Sequence, residues 1–256
     1  MQIEELKKVV QNLIGTFKEA GNISLELRKK GLKKELKEDN TPVTNGDIAV
    51  NNILLKKISD LTPHIPIVSE ETSKNKDNKD LKDFWLIDPI DGTSSYINNK
   101  DEFTINAALI INKKPAAGII NAPEKGRLFY SYGHTNSFEL INNKEIKLFD
   151  IKKKRKEIIA VTYSDTPKPE ILQFHKKFNV SKFQKMKSSL KFCVVAASEF
   201  DLYIADARAC EWDIAAGHAI LEHSGGSLND FNGNEIIYGK PNFKNPALIM
   251  KNKNLV

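Results

Sequence analysis

The stretch Trp85-Leu86-Ile87-Asp88-Pro89-Ile90-Asp91-Gly92-Thr93-Ser94-Ser95-Tyr96 limits the fold more than any other, because an apolar run ends there in two carboxylates, a proline, a glycine and three hydroxyls. Phe84 to Ile87 read as a buried strand. Asp88 then falls at the strand's carboxyl end, where open α/β sheets place their ligands. Pro89 presses Asp88 toward extended backbone and fixes its own φ. Gly92 lets another group approach the chain closely, and Thr93, Ser94 and Ser95 can cap a following helix whose N–H groups face an anion. Two hard oxygen ligands beside an amide-lined turn suit Mg²⁺ and phosphate together. Asp-Pro and Asp-Gly are also ordinary turn dipeptides, so the stretch alone leaves turn and site both open.

At 256 residues the chain is long enough for one large domain or two small ones, with a substantial core and no need of staples. Cys193 and Cys210 are too few for a disulfide framework or a cysteine-rich zinc site, and read as small buried hydrophobes in a reduced cytoplasmic setting. Met1-Gln2-Ile3-Glu4-Glu5-Leu6 is neither a signal nor a transit peptide, and no apolar run approaches the roughly 18 residues of a membrane span. A soluble protein is expected. The formal charge is +6, with lysine dense at Arg28 to Lys30, at Lys33-Lys34 and from Lys152 to Lys156. Such a field attracts an anionic substrate. Nucleic acid would suit it too, but the runs read equally as solvated faces, and no aromatics interleave with them as in a single-strand groove.

Ile3, Leu6, Val10, Leu13 and Phe17 predict an opening amphipathic helix that ends near Gly21. Ser24 to Asn40 is charged and unassigned. Ile48, Val50, Ile53, Leu54, Ile58 and Leu61 predict a second helix with Asp47 in its first turn, three residues after Thr44 in a capping-box arrangement. Ile65 to Val68 is a short strand running into Ser69-Glu70-Glu71, and Ser73 to Lys82 a loop. Phe103 to Ile111, Ala116 to Ile120 and Arg127 to Tyr132 form an antiparallel meander, followed by a hairpin of Phe138 to Ile141 and Glu145 to Phe149. The basic run Lys152 to Lys156 is the candidate boundary. Beyond it come a strand at Ile158 to Tyr163, a helix from near Pro169, a serine-opened helix at Ser188 to Ala197, a strand at Phe200 to Ala205, and an apolar helix at Glu211 to His223 stopped by Gly225-Gly226. Nothing after Gly226 is assigned, and there is no solenoid-period repeat.

Asp47, Glu70, Asp88, Asp91 and Asp213 all fall at the ends of these elements, where several segments can converge. Gathered in one place they would repel one another unless cations neutralised them. Each also has a simpler explanation: Asp47 and Asp213 sit in first helical turns, favoured by the helix dipole. A Walker loop, a His-Glu-x-x-His helix, a Cys-x-x-Cys pair and a dinucleotide glycine motif are all absent from the sequence. His218 and His223 are off the usual metal spacing and read as ordinary helix residues.

Ser69-Glu70-Glu71, Trp85 to Thr93 and Trp212-Asp213-Ile214-Ala215-Ala216-Gly217-His218, in that order, resemble the lithium-sensitive, magnesium-dependent phosphatase superfamily of inositol monophosphatases, fructose-1,6-bisphosphatases and bisphosphate nucleotidases. Within it, Thr41-Pro42-Val43-Thr44, the Ser-Glu-Glu motif and Ser188-Ser189-Leu190-Lys191-Phe192-Cys193 resemble the bacterial 3'(2'),5'-bisphosphate nucleotidases. The resemblance implies a mixed α/β fold, a layered αβαβα sandwich with metals between two halves. These are an N-terminal α+β half, residues 1–151, with most of the ligands, and a C-terminal α/β half, residues 152–256, with Asp213 and substrate-binding elements.

It also implies site roles. Glu70, Asp88, the Ile90 carbonyl, Asp91 and Asp213 hold two or three Mg²⁺, with Asp88 bridging two. Thr93 and Asp47 activate the attacking water, Glu70 shares in catalysis, and the amides of Gly92 and Thr93 hold the phosphate. Glu70, Ile90, Asp91, Gly92, Thr93, Ser188, Ser189, Lys191 and Asp213 face the substrate. The expected reaction is hydrolysis of adenosine 3',5'-bisphosphate to AMP and phosphate, with the sulfated analogue as a further substrate and a link to sulfate assimilation. Alternatives are an inositol- or sugar-phosphate phosphatase and, in another class, a basic nucleic-acid-binding module. The expected setting is cytoplasmic, with peripheral attachment at the inner membrane face left open. The expected partner is a small phosphorylated nucleotide and not nucleic acid, in a monomer or homodimer. Lys187 stands where that branch usually has glycine; a contact to a substrate phosphate and a solvated lysine both remain open.

Overall fold

A computed structural model describes residues 1–37, 40–72, 76–77, 81–153 and 156–256. Helix α1 spans Ile3–Lys30, opened by a capping box between Gln2 and Glu5 and closed by Gly31 at φ 98°. It outruns the predicted end at Gly21 because that glycine serves close approach and not termination. A Cβ there would lie 2.5 Å from Asn121 Nδ2. Beyond it the helix still buries Ser24 and carries Arg28 to the rings of Tyr96 and Phe103, 5.6 and 5.2 Å from their centroids. Strands β1 (Lys34–Leu36) and β2 (Pro42–Thr44) form a small antiparallel ribbon in the previously unassigned region. Helix α2 follows at Asn45–Leu61, with the Thr44/Asp47 capping box in place.

Strands β3 (Ile67–Ser69) and β4 (Phe84–Asp91) are parallel; β5 (Thr104–Ile111), β6 (Lys114–Ala122), β7 (Arg127–Ser131), β8 (Ser137–Ile141) and β9 (Lys144–Lys147) then continue as an antiparallel meander to seven strands. Strand β4 does not stop at Ile87. It pairs Asp88 with Asn106, then Asp91 with Thr104, so β4 carries one residue more than β5 over that interval. Pro89, with no N–H to give the ladder, lies inside this bulge and re-aims the strand end. Part of the predicted Ser73–Lys82 loop and part of the Lys152–Lys156 run lie outside the described residues.

A second sheet has the order β11-β10-β12-β14-β13, from β10 (Ile158–Thr162), β11 (Val180–Lys185), β12 (Leu202–Ala205), β13 (Ser227–Asp230) and β14 (Leu248–Lys251). Three of these strands have no counterpart in the sequence reading. β11 is an exposed polar edge with no buried alternation, and β13 and β14 follow the last assigned helix as runs of only four residues. Short helix α3 is Thr93–Ile97; α4 is Pro169–Lys177, α5 Leu190–Ala196 and α6 Glu211–His223.

The side chains settle the layers. Leu13 and Phe17 of α1 and Leu54 and Ile58 of α2 pack on one face of the seven-stranded sheet, against Trp85, Ile87, Leu109 and Ile119. The other face, Phe84, Leu86, Ala108 and Ile120, packs on α5 and α6, whose far sides meet Tyr203, Leu228 and Met250 of the second sheet. Ile171 of α4 covers that sheet's outer face with Leu202 and Ile204. The result is helix, sheet, helix, sheet, helix. Alternation along β4 feeds two cores at once, the pattern of a strand buried on both faces.

Candidate functional site

Three anchors bring the ends of α2, β4 and α3 together. Gly46, in the first turn of α2, leaves room for Tyr96, whose ring would otherwise lie 2.7 Å from a Cβ. Tyr96 is fully buried and donates its hydroxyl to Ser24 O of α1 at 2.7 Å. Gly92 adopts φ 93° and packs against Glu102 O, so the chain turns from β4 directly into α3. The N-cap is therefore Gly92, and Thr93, Ser94 and Ser95 occupy the first turn and do not cap it, contrary to the capping expectation.

This frame sets Thr93 beside Asp47. The Thr93 hydroxyl lies 3.3 Å from Asp47 Oδ1 and 3.1 Å from Ile90 O. Asp47 Oδ2 is held by Thr44, from its N–H at 2.8 Å and its hydroxyl at 2.6 Å. The cap and the site are thus one residue's two oxygens. Burial raises the Asp47 pKa, against the lowering effect of the Thr44 hydrogen bonds.

Glu70 leaves β3, Asp88 sits at the β4 bulge and Asp213 enters α6. One carboxylate oxygen of each lies within 4.8 Å of the others. Asp91 joins the group through Ser189, whose hydroxyl lies 2.6 Å from both Asp91 Oδ2 and Asp213 O and accepts from Asn106 Nδ2 at 3.1 Å. Burial, then Glu70, Asp91 and Asp213, pushes Asp88 well above the usual carboxylate range. Burial raises Asp91 as well, with Lys191 opposing. Asp213 rises to about 8, by burial and then by Asp91 and Glu70. Oδ1 of Asp88 is buried without a hydrogen-bond partner. An orphaned carboxylate oxygen among hard oxygen donors is what a small divalent cation requires, so the residues fit Mg²⁺.

A cavity of about 240 Å³ opens beside these acids. Asp91, Asp213, Ser188 and Ser189 line it together with Lys191, Tyr163 and Arg208. Ser188 takes φ 58°, so α5 begins two residues later than predicted, at Leu190, and Ser188 lies against Gly92. Lys191 is buried, donates to Ser188 O, and has its pKa lowered by burial to about 8.

The residues that the resemblance assigns to the site lie around these strand and helix ends, Ser189 with its hydroxyl engaged by protein groups. Others carried no sequence signal. Lys37 reaches in from behind β1 to Glu70 and Glu71 at 2.8 and 2.7 Å. Its charged neighbourhood has no pattern from which to single it out. Lys76 donates to Glu70 O at 2.7 Å and covers Trp212. Tyr163 is distant in sequence from Tyr203 and Arg208 and meets them because β10 and β12 are neighbours.

A five-layer α/β sandwich with a carboxylate cluster where β3 and β4 end and α6 begins defines a metal-dependent class of protein, and comparison places the chain within it. The inositol monophosphatase family profile matches residues 5–255, and the chain belongs to that family. The 3'(2'),5'-bisphosphate nucleotidase CysQ of Buchnera aphidicola is 32% identical over 91% of this chain and 88% of its own. The protein of the same name in Salmonella typhimurium is 34% identical over 82% and 85%. CysQ from Bacteroides thetaiotaomicron, a bacterial member of the family, superposes with a TM-score of 0.76 at 26% identity, covering 95% of this chain and 96% of its own. An IMPase/NADP phosphatase complexed with Mg²⁺ and phosphate shares the fold, with a TM-score of 0.79 at 20% identity over 97% and 92%.

Proposed function

We propose that this protein hydrolyses the 3'-phosphate of adenosine 3',5'-bisphosphate, giving AMP and inorganic phosphate, with the sulfated analogue as a second substrate. The observation that carries the choice is the pair of cations in the cavity beside the acids. Lys191 and Arg208 line the same cavity as Asp91 and Asp213. A monophosphate needs only the carboxylates and the metal ions they would hold; a substrate with a second anionic group also uses Lys191 and Arg208. The nucleotidase relatives, matched over most of both chains, support the same reading.

Glu70, Asp88, Asp91, Asp213 and the Ile90 carbonyl are the groups we assign to two or three Mg²⁺. When bound, these ions lower the pKa of a water and neutralise charge on the leaving oxygen. The rest falls to the chain itself. Asp47 Oδ1 accepts the Thr93 proton at 3.3 Å, which leaves the Thr93 oxygen free to take a proton from the attacking water. Thr44 keeps Asp47 from turning away. The amides of Gly92, the N-cap of α3, and of Thr93, its first residue, offer donors to the phosphate oxygens. Lys191, anchored on Ser188 O, and Arg208 orient the 5' end. Cys193 and Cys210 are both free thiols, which fits a reducing cytoplasm.

Phosphate release with Mg²⁺ from adenosine 3',5'-bisphosphate, 3'-AMP and inositol 1-phosphate tests the proposal. The bisphosphate should have the highest kcat/KM. Faster release from inositol 1-phosphate would overturn it.

A further inference from the structure

Lys187, the departure from the nucleotidase pattern, plays no part in the chemistry above, yet its ammonium lies 5.3 Å from the centre of the Tyr163 ring. Lys191 lies 5.8 Å and Arg208 3.3 Å from the same centre. Behind this cluster is a second cavity of about 150 Å³, which shares Tyr163, Ala205 and Arg208 with the first. The wall between the two is therefore the Arg208 guanidinium stacked on Tyr163. Both side chains are surface groups, Tyr163 42% and the Arg208 side chain 34% exposed, so the wall can swing aside without opening a core. Asp206 opposes these cations and is shared between Lys168 at 2.6 Å and Arg208 at 3.4 Å. The second cavity has an apolar floor of Pro167, Ile171 and Ile204, and a rim of Ser164 and Thr166 hydroxyls.

Resting on the nucleotidase reading, we infer that the site extends past the Tyr163–Arg208 wall and accepts nucleoside 3'-phosphates whose 5' end is a diphosphate ester. With the 5'-phosphate between Lys191 and Arg208, anything attached to it is directed at that wall. A second phosphate meets Arg208 and Lys187 there, and charge-assisted hydrogen bonds of this kind are the strong ones. The amphipathic cavity beyond takes the ester's organic tail. The bond broken is still the 3'-phosphate ester: water adds to phosphorus, and the 3'-oxygen leaves with a proton.

The test compares adenosine 3',5'-bisphosphate with coenzyme A, a 3'-phosphoadenosine 5'-diphosphate ester, using the whole protein with Mg²⁺. Both should release phosphate. Thr166→Trp, which fills the second cavity from its exposed rim, should lower kcat/KM for coenzyme A by about tenfold or more and leave the bisphosphate within about twofold. Lys187→Gly should raise KM for coenzyme A and leave kcat unchanged. Independently of any variant, dephospho-coenzyme A should inhibit bisphosphate hydrolysis more strongly than AMP does. Turnover of the bisphosphate with none of coenzyme A, equal losses on both substrates in Thr166→Trp, or weaker inhibition by dephospho-coenzyme A would each overturn the inference and leave the nucleotidase reading standing. Release of phosphate from neither substrate would remove both.

Discussion

At Asp88 the demands of the fold and of the proposed chemistry oppose each other. Its carboxylate is 1% exposed, has an oxygen without a partner, and faces Glu70 and Asp213. A buried charge without compensation costs several kcal/mol, so the metal-free protein should carry a cost that the proposed Mg²⁺ would relieve. Two opposite effects on one variant follow. Asp88→Asn should raise the melting midpoint in chelator, by roughly 2–4 °C per kcal/mol recovered in a chain of this size. It should also abolish the upward shift that Mg²⁺ produces in the wild type. Thermal melts with and without Mg²⁺ measure both, and an intact Mg²⁺ shift in the variant would remove Asp88 from the ligand set. The role proposed for Thr93 should separate binding from turnover. Thr93→Ala should keep the Mg²⁺ shift and lose about 10²-fold in kcat; an unchanged kcat would exclude it from proton transfer. Asp47 shows why its role could not be read from sequence spacing alone. A capping residue three positions after a threonine is locally complete, and only the arrival of Thr93 reveals the use of its second oxygen.

Helix α6 positions Asp213, and its placement depends on two glycines. A Cβ on Gly118 of β6 would stand 2.4 Å from Ala216 O, a backbone atom that cannot step aside. A Cβ on Gly217 would meet Phe192 of α5 at 2.3 Å. Gly118→Ala should therefore push α6 off the sheet and destabilise the protein by about 1–3 kcal/mol. Because Asp213 rides on that helix, activity should fall further than stability accounts for at a temperature where the variant is still folded. Urea unfolding together with kcat at 25 °C checks this; wild-type kcat in a destabilised variant would show that α6 placement does not govern the site. The legibility of the elements follows the same physics. α6 was readable to the residue because its apolar run ends at paired glycines, and the β5–β7 meander because its strands are long and separated by Asn-Lys and Pro-Glu-Lys-Gly turns. β11, β13 and β14 were not, since their order is set by tertiary pairing to β10 and β12 and not by local pattern. The extension of α1 past Gly21 was missed because a glycine selected for contact with Asn121 looks in sequence like one selected to end a helix.

At the scale of the whole molecule, division into residues 1–151 and 152–256 is best proposed as two sheets sharing a core, since α5 and α6 pack between them in one continuous cluster. Unfolding should then be cooperative, and pH reports on the shared layer. His223, at the end of α6, accepts the Gly133 N–H at 3.2 Å and is 8% exposed. Burial lowers its pKa to about 4; Glu222 opposes this, and His218 and His134 reinforce it. In the unfolded chain the same ring takes a proton as pH falls through about 6.5. Between those values the unfolded state binds the extra proton, so stability rises with pH. The contribution is complete above about pH 6.5 and lost by about pH 4, with a magnitude of about 3 kcal/mol at most. The raised carboxylates Asp47, Asp88, Asp91 and Asp213 act in the opposite direction, favouring the native state at low pH. They are common to wild type and variant, so the difference between the two isolates the histidine. His223→Gln keeps an acceptor for Gly133 and cannot be charged. In chelator, its unfolding free energy should lose about 2–3 kcal/mol less than the wild type between pH 7 and pH 4.5. Parallel pH profiles would show that the ring is protonated in the native state and that the layer around α6 is open to water there.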